Sequence, residues 1–424
     1  MIDSDLLLNE PDSVAEELAK KGVERSLVSS ARDAVLERRK VRHELDEARA
    51  EMNKRSKEVG TLMAAGDPAA ERVRAELSHL KERISELETT NRGASDKAES
   101  LLLQLPNFPD PKAPVGTDES ANVVLRYEGP ESTRKEGVRP HWEIASDLGL
   151  YEPERAAKLS GSGFSMLRGD GARLLRALVQ FALDLNRDQY VEFVVPHFVR
   201  RATMVGTGHL PKFADDAYNT TLDDLWAIPT GEVPLTGFHR DEILTPAELP
   251  KHYMAYSVCF RREAGSAGKD TRGLQRLHEF HKVEMVRICL PDQVEKEFAE
   301  LLADAERPLQ EMGLPYRVVD LCTGDLTFAS SRIFDLEVYA PGVDRWLEVS
   351  SVGNFTDFQA RRSNIRFRNP GGGTIPVYTL NGSALATPRM WAAILEHGLQ
   401  PDGTVRIPSV LVKYMGKETI SRPE

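Results

Sequence analysis

The chain has 424 residues, 29% of them charged, and a formal net charge of −11. That length allows two or three domains, and a negative surplus of this size gives no support to broad, non-specific nucleic-acid binding, so any polyanion must be met by a local patch. Cys259, Cys289 and Cys322 stand at no zinc-ligand or redox spacing, the N-terminus is acidic without a basic-then-apolar leader, and no long apolar run occurs; a soluble cytoplasmic protein is expected, with no structural zinc, no disulfide framework and no membrane partner.

In the first third, Val41, Leu45, Ala48, Met52 and Val59 recur at alternating steps of four and three, with Arg55 taking one seam position. Val73, Leu77, Leu80, Ile84 and Leu87 repeat the pattern and reach Asn91. Between the two runs, Ala64-Ala65-Gly66-Asp67-Pro68 reads as a helix stop and restart. The spacing predicts two long helices folded back as an antiparallel coiled coil over about residues 28–100, inside an N-terminal domain 1–105. Helices on the order of 35 residues would each span roughly 50 Å, enough to make an arm. From Val28 to Ser100 there are 15 basic and 15 acidic residues. The arm is therefore the less repulsive surface for a polyanion, although each charge taken singly reads as an ordinary solvated flank.

Prolines at 106, 109, 111 and 114 mark a linker, 106–115, and a catalytic domain 116–424 follows. A helix is predicted over 172–185, a strand over 190–196, a helix within 291–312, and strands over 316–319, 333–339 and 345–351. No glycine-rich strand-to-helix phosphate loop occurs. An α+β domain on a mostly antiparallel sheet flanked by helices is expected.

Phe260-Arg261-Arg262-Glu263-Ala264-Gly265-Ser266, then Arg272-Gly273-Leu274 and His278-Glu279-Phe280-His281-Lys282-Val283-Glu284, combine cations, carboxylates, small loop residues and an aromatic ring. Guanidiniums can neutralise phosphate and carboxylate oxygens through paired hydrogen bonds, and a ring can stack on a base. This suits ATP held beside a small zwitterion. Taken alone, Arg-Arg-Glu is more often a solvated strand edge and Phe280 more often core. His278 and His281 have no third metal ligand nearby.

The stretch around Phe260–Glu263 with Phe280 and Glu284 resembles motif 2 of a class II aminoacyl-tRNA synthetase. Gly382-Ser383-Ala384-Leu385-Ala386-Thr387-Pro388-Arg389 with helical 390–396 resembles motif 3, and 172–196 resembles motif 1, which implies a homodimer. Within that class the chain is similar to the seryl-tRNA synthetases in four further segments: Gly206-Thr207-Gly208-His209-Leu210-Pro211-Lys212-Phe213, 228–236, Asp357-Phe358-Gln359-Ala360-Arg361-Arg362, and Thr379-Leu380-Asn381. The resemblance covers nearly the whole chain.

It implies activation of L-serine with ATP to seryl-adenylate and pyrophosphate, then transfer to the 3′-terminal ribose of tRNA(Ser), gripped by the coiled-coil arm. By resemblance, Arg261 would bridge the serine carboxylate and the α-phosphate, Arg389 the γ-phosphate end, Glu263 the adenine amino group, and Phe280 the adenine face. Glu348 and Ser351 would hold Mg²⁺ bound with ATP, and hard oxygen ligands suit that ion. Arg261, Arg389 and Glu348 would carry the catalysis. Thr230, Glu232, Glu284, Asn381 and Ser383, with Arg261, would bind serine, Glu284 and Ser383 taking its hydroxyl. A site whose polar groups await an OH rejects alanine by leaving them unpaired.

The chain departs from the usual family pattern at Gly231, Arg332, Val352 and Gly353, and Thr387-Pro388 precedes Arg389. These departures leave open a paralogue with a biosynthetic or inhibitor-resistance role and an altered amino-acid pocket. A non-catalytic RNA-binding regulator that kept the fold is a further alternative, against which both Arg261 and Arg389 weigh.

Overall fold

A computed structural model describes residues 1–130, 137–264 and 272–422; Gly265 and Ser266 of the motif-2-like stretch lie outside them. The chain divides into two compact units, Met1–Pro106 and Asn107–Glu424.

In the first unit, short helices α1 (Ser4–Asn9) and α2 (Pro11–Ala19) precede α3 (Arg25–Ala64) and α4 (Ala69–Leu102). At 40 residues α3 is longer than expected, roughly 60 Å at 1.5 Å per residue. The expected seam is buried at Val41, Leu45, Ala48 and Val59 on α3 and at Val73 on α4, whereas Leu77, Leu80, Ile84 and Leu87 are half-buried. Cross-helix ion pairs Arg49–Glu88 (2.7 Å) and Arg55–Glu76 (3.8 Å) match early α3 with late α4 and so fix the antiparallel sense. Arg55, half-buried at its seam position, also pairs its guanidinium with Glu51 and Glu58. The reversal uses Gly66 at φ 68°, and Asp67 accepts a 2.8 Å hydrogen bond from the Ala69 N–H to start the second helix.

The second unit is built on eight strands: β1 (Val123–Glu128), β2 (Val191–Val194), β3 (Lys251–Phe260), β4 (Glu279–Cys289), β5 (Tyr316–Asp320), β6 (Arg332–Ala340), β7 (Arg345–Asn354) and β8 (Tyr378–Ala386). Their order is β1-β5-β6-β7-β8-β4-β3-β2, antiparallel throughout except for the β2/β3 pair. Central β4 is buried from Lys282 to Cys289, while β2 at one edge is largely exposed. Helix α5 (Asp170–Asn186) buries Leu174, Ala177, Leu178, Phe181 and Ala182, a stripe at helical spacing, in the main core. Helix α8 (Val294–Met312) buries Phe298, Leu301, Ala305 and Leu309 in the same core; α6 (Arg201–Gly206), α7 (Glu232–Gly237), α9 (Phe358–Ser363) and α10 (Thr387–Gly398) border the site.

The proline-rich stretch differs from a free tether. Asn107 Nδ2 donates to Ala329 O (3.0 Å) and Phe355 O (2.8 Å), the Asp110 N–H donates to Ser331 O, and Pro114 O accepts from the Thr323 N–H. Proline has no N–H to commit to a helix or ladder, so this segment stays extended and its remaining polar groups anchor it along the unit.

Candidate active site

Three neighbouring strands supply one wall. Alternate residues of β4 place Phe280, Lys282 and Glu284 on one face; β8 sets Ser383 opposite Glu284, with Asn381 two residues back, and β7 sets Gly353 opposite Asn381, with Ser351 two residues earlier. All seven line a single cavity of about 440 Å³. Glu348 lies three residues before Ser351, so strict alternation would turn it away. The β6/β7 register shifts between Glu348 and Ser350, and that extra residue brings both side chains onto the cavity face.

Arg261 and Glu263 continue from β3. The Arg261 N–H donates to His278 O (2.9 Å), and its guanidinium lies 5.0 Å over the Phe280 ring. Glu263 sits at φ 53°, a left-handed conformation rare for a side chain of this size, and its carboxylate pairs with Arg276. Arg389 comes from the first turn of α10, where Pro388 needs no N–H partner and its fixed φ suits the helix start. Its Nη1 donates to Glu348 O (2.6 Å) and stands 3.3 Å from Glu348 Oε2, while Nε donates to Gln275 O.

Thr230 and Glu232 form the facing side with the loop after α6. Glu232 Oε1 accepts from Gln359 Nε2 (2.6 Å), which also donates to Thr207 O, and Gln359 Oε1 accepts from Thr379 Oγ1 (2.7 Å). Arg362, packed between the Phe328 and Phe358 rings, donates to Val205 O and Leu210 O. The 357–362 segment thus holds both Glu232 and the 205–210 loop in place.

Lys282 Nζ lies 2.6 Å from Glu284 Oε2, which also accepts from Ser383 Oγ at 3.3 Å. Burial, reinforced by the Glu284 charge, pushes Glu232 up to about 7, while the hydrogen bond from Gln359 and the Lys282 charge pull it the other way. Burial and then the Arg261 and Lys282 charges push His209 down to about 3. At Glu348, whose side chain keeps 46% of its surface exposed, desolvation within the cavity works against ionisation, yet Arg389, Arg261 and Lys282 hold its carboxyl below the usual range. Asp335, facing Ser351 across the β6/β7 pair, is raised well above the usual range by burial and by Glu348. The cavity therefore offers positive charge for two anions, a buried carboxylate that ionises near pH 7, and a Lys–Glu–Ser set suited to a hydroxyl.

Glu348 and Ser351 offer oxygen donors to a cation, and Asp335 Oδ1 beside them is buried without a hydrogen bond. Among the described residues no three His, Cys, Asp or Glu side chains converge as a metal cage. Mg²⁺ bound with a nucleotide takes one or two carboxylates plus phosphate oxygens, and this donor set fits that mode.

Every residue given a catalytic, nucleotide-, serine- or metal-binding role from the sequence lines this cavity. Lys282, His209 and Arg276 line it too without having been singled out, and Gln359 supports it from behind. Of the four departures, two lie elsewhere than the pocket. Arg332 bonds Asp320 (2.8 Å) and stacks over Phe334, and Val352 is fully buried in the core. Gly231 and Gly353 do bear on it. A Cβ at Gly231 would stand 3.1 Å from Glu284 Cβ, and one at Gly353 would stand 2.8 Å from the Phe355 ring, so Phe355 fills the space a larger residue would take.

Two family models match: the seryl-tRNA synthetase N-terminal domain over residues 1–109 and the tRNA synthetase class II core domain (G, H, P, S and T) over residues 216–398. The chain is 48% identical to the serine–tRNA ligase of Thermomicrobium roseum, over 98% of this chain and 94% of that one. It is 46% identical to that of Thermosynechococcus vestitus, over 98% of each. Among solved structures, the seryl-tRNA synthetase of Pyrococcus horikoshii complexed with ATP superposes over 100% of both chains, with a TM-score of 0.91 and 37% identity.

Proposed function

The chain belongs to the seryl-tRNA synthetase family, and we propose from that premise how its own residues divide the work. Its activity is that of a serine–tRNA ligase, an aminoacyl-tRNA synthetase with a class II core. In the first step a serine carboxylate oxygen bonds to the ATP α-phosphorus as the bond to pyrophosphate breaks. In the second, a hydroxyl of the 3′-terminal ribose of tRNA(Ser) bonds to the acyl carbon, and AMP leaves. Neither reactant of the first step needs deprotonation, so that step needs positive charge and positioning.

Arg261 bridges the serine carboxylate and the α-phosphate, which requires its guanidinium to leave the Phe280 ring so that adenine can stack there. Arg389 takes the γ-phosphate end, and Glu263 accepts from the adenine amino group. Glu348 and Ser351 would hold Mg²⁺ brought in with ATP, which would neutralise phosphate charge. Thr230, Glu232 and Asn381 surround the serine ammonium, and Glu284 with Ser383 reads the hydroxyl, Lys282 fixing the carboxylate. The observation that carries this reading is the convergence of Arg261, Arg389 and the Lys282–Glu284–Ser383 set on one cavity. Pyrophosphate exchange that depends on serine, followed by charging of tRNA(Ser), tests it; no exchange with any amino acid would favour a binding protein instead.

Glu232 gives this assay a pH signature. Its carboxyl is raised from 4.5 to about 7, so the neutral form prevails below that value and the ionised form, which pairs with an ammonium, prevails above it. The kcat/KM for serine is expected to rise with pH through an inflection near 7, and Glu232→Gln to remove that inflection. The same shift makes folding stability decline as pH rises from about 4.5 through about 7, because the unfolded state ionises first.

The arm, within the N-terminal domain 1–105, binds tRNA by phosphate and sugar contacts along a stem, as suits A-form RNA. The partner of edge strand β2 is a second copy of this chain: Val191 and Val194 on that strand and Phe198 and Phe238 beside it are exposed, with Val194 at 97%. No helix among the described residues is long and apolar enough to cross a membrane, and the three cysteines are buried and free, which supports a reducing cytoplasm.

A further inference from the structure

His209 lines the cavity beside Arg261 and Lys282, yet the division of roles above leaves it unused. Its Nδ1 is 2.8 Å from Thr207 Oγ1. The Thr207 hydroxyl has one proton and two possible acceptors, His209 Nδ1 and Met204 O at 3.3 Å. Met204 O already accepts the His209 N–H (3.1 Å) and the Leu210 N–H (3.2 Å), which occupies both of its lone pairs. The hydroxyl proton therefore goes to Nδ1, by far the shorter contact. That fixes the tautomer: Nε2 carries the ring hydrogen. Among the described residues Nε2 has no hydrogen-bond partner, and it is not one of the buried unpartnered atoms, so its N–H opens to the cavity.

The surroundings keep this donor uncharged. Burial and the neighbouring Arg261 and Lys282 disfavour imidazolium, so the ring stays neutral across the physiological range. Arg362 and Gln359 fix the 205–210 loop that carries it, so its direction is set before any ligand arrives.

We propose that His209 is a further substrate-binding residue, its Nε2–H donating a hydrogen bond to an anionic oxygen of the reacting pair, the serine carboxylate or the ATP α-phosphate, alongside Arg261. The inference rests on the serine-activating reading of the cavity. An uncharged donor here complements the guanidinium without adding a third repelling cation to Arg261 and Lys282.

The test is steady-state pyrophosphate exchange by the full-length enzyme and by His209→Ala and His209→Gln, with serine and ATP varied separately and Tm measured for each. His209→Ala is expected to raise KM, or lower kcat/KM, by about 10- to 100-fold. His209→Gln, which keeps an N–H donor, is expected to recover most of that loss. An effect on the serine parameters alone places the partner on the carboxylate, and one on the ATP parameters alone places it on the α-phosphate. Equal losses in both variants, no change in either, or a wild-type inflection between pH 6 and 7 that His209→Gln abolishes would each overturn the proposal. Wild-type enzyme inactive with serine would instead overturn the reading of the cavity, which no His209 result can mimic.

Discussion

Arg261→Ala is expected to lower kcat for serine-dependent pyrophosphate exchange by about 10²- to 10³-fold, with little change in Tm. The reason is differential. The guanidinium packs over the Phe280 ring, an interaction worth about 0.5–2 kcal/mol, while the backbone contact to His278 survives any side-chain change. In the transition state negative charge builds between carboxylate and α-phosphate inside the cavity, where a fixed cation has its largest effect. Arg261→Lys should recover only part of the rate, because a point charge cannot donate to two anions in the planar fork of a guanidinium. Stopped-flow or exchange kinetics beside a thermal melt measures both halves; a large fall in Tm with an unchanged kcat in the folded fraction would assign Arg261 to structure.

Shortening the arm is expected to separate the two half-reactions. Excision of residues 46–91 with a short Gly-Ser closure removes the distal part of α3 and most of α4 but keeps the base on which α1 and α2 pack. The second unit has its own core and its own cavity, every lining residue lying beyond Asn107. Exchange should therefore persist within a few-fold, whereas charging of tRNA(Ser) should fall by orders of magnitude as the phosphate contacts are lost. Loss of exchange in a soluble, folded variant would make the arm a folding element.

Much of this organisation is legible in the sequence. The heptad steps of 41–59 and 73–87 encode the hairpin because a seam must be apolar whatever the arm does, and β-branched and aromatic runs encode β5, β6 and β7. The cavity residues are legible only as a resemblance, since nothing local tells Glu348 from a surface carboxylate; the bulge that turns it inward depends on pairing with β6. Lys282 alternates with Glu284 and was within reach of a strand-face count. Gln359 was not, because its bonds to Thr207 and Glu232 join segments more than a hundred residues apart, and His209 was not, because only the fold brings it beside Arg261 and Lys282. The same topology explains why Arg332 and Val352, odd by resemblance, stand clear of the pocket: one faces Asp320 and the other the core.

The Lys282–Glu284–Ser383 set is proposed to select serine by its hydroxyl. Exchange kinetics with serine and alanine on the same enzyme measures that selection directly. A kcat/KM ratio favouring serine by a factor on the order of 10⁴ is predicted, since alanine would leave buried polar groups unpaired. A ratio within about tenfold, or a preference for alanine or threonine, would contradict it.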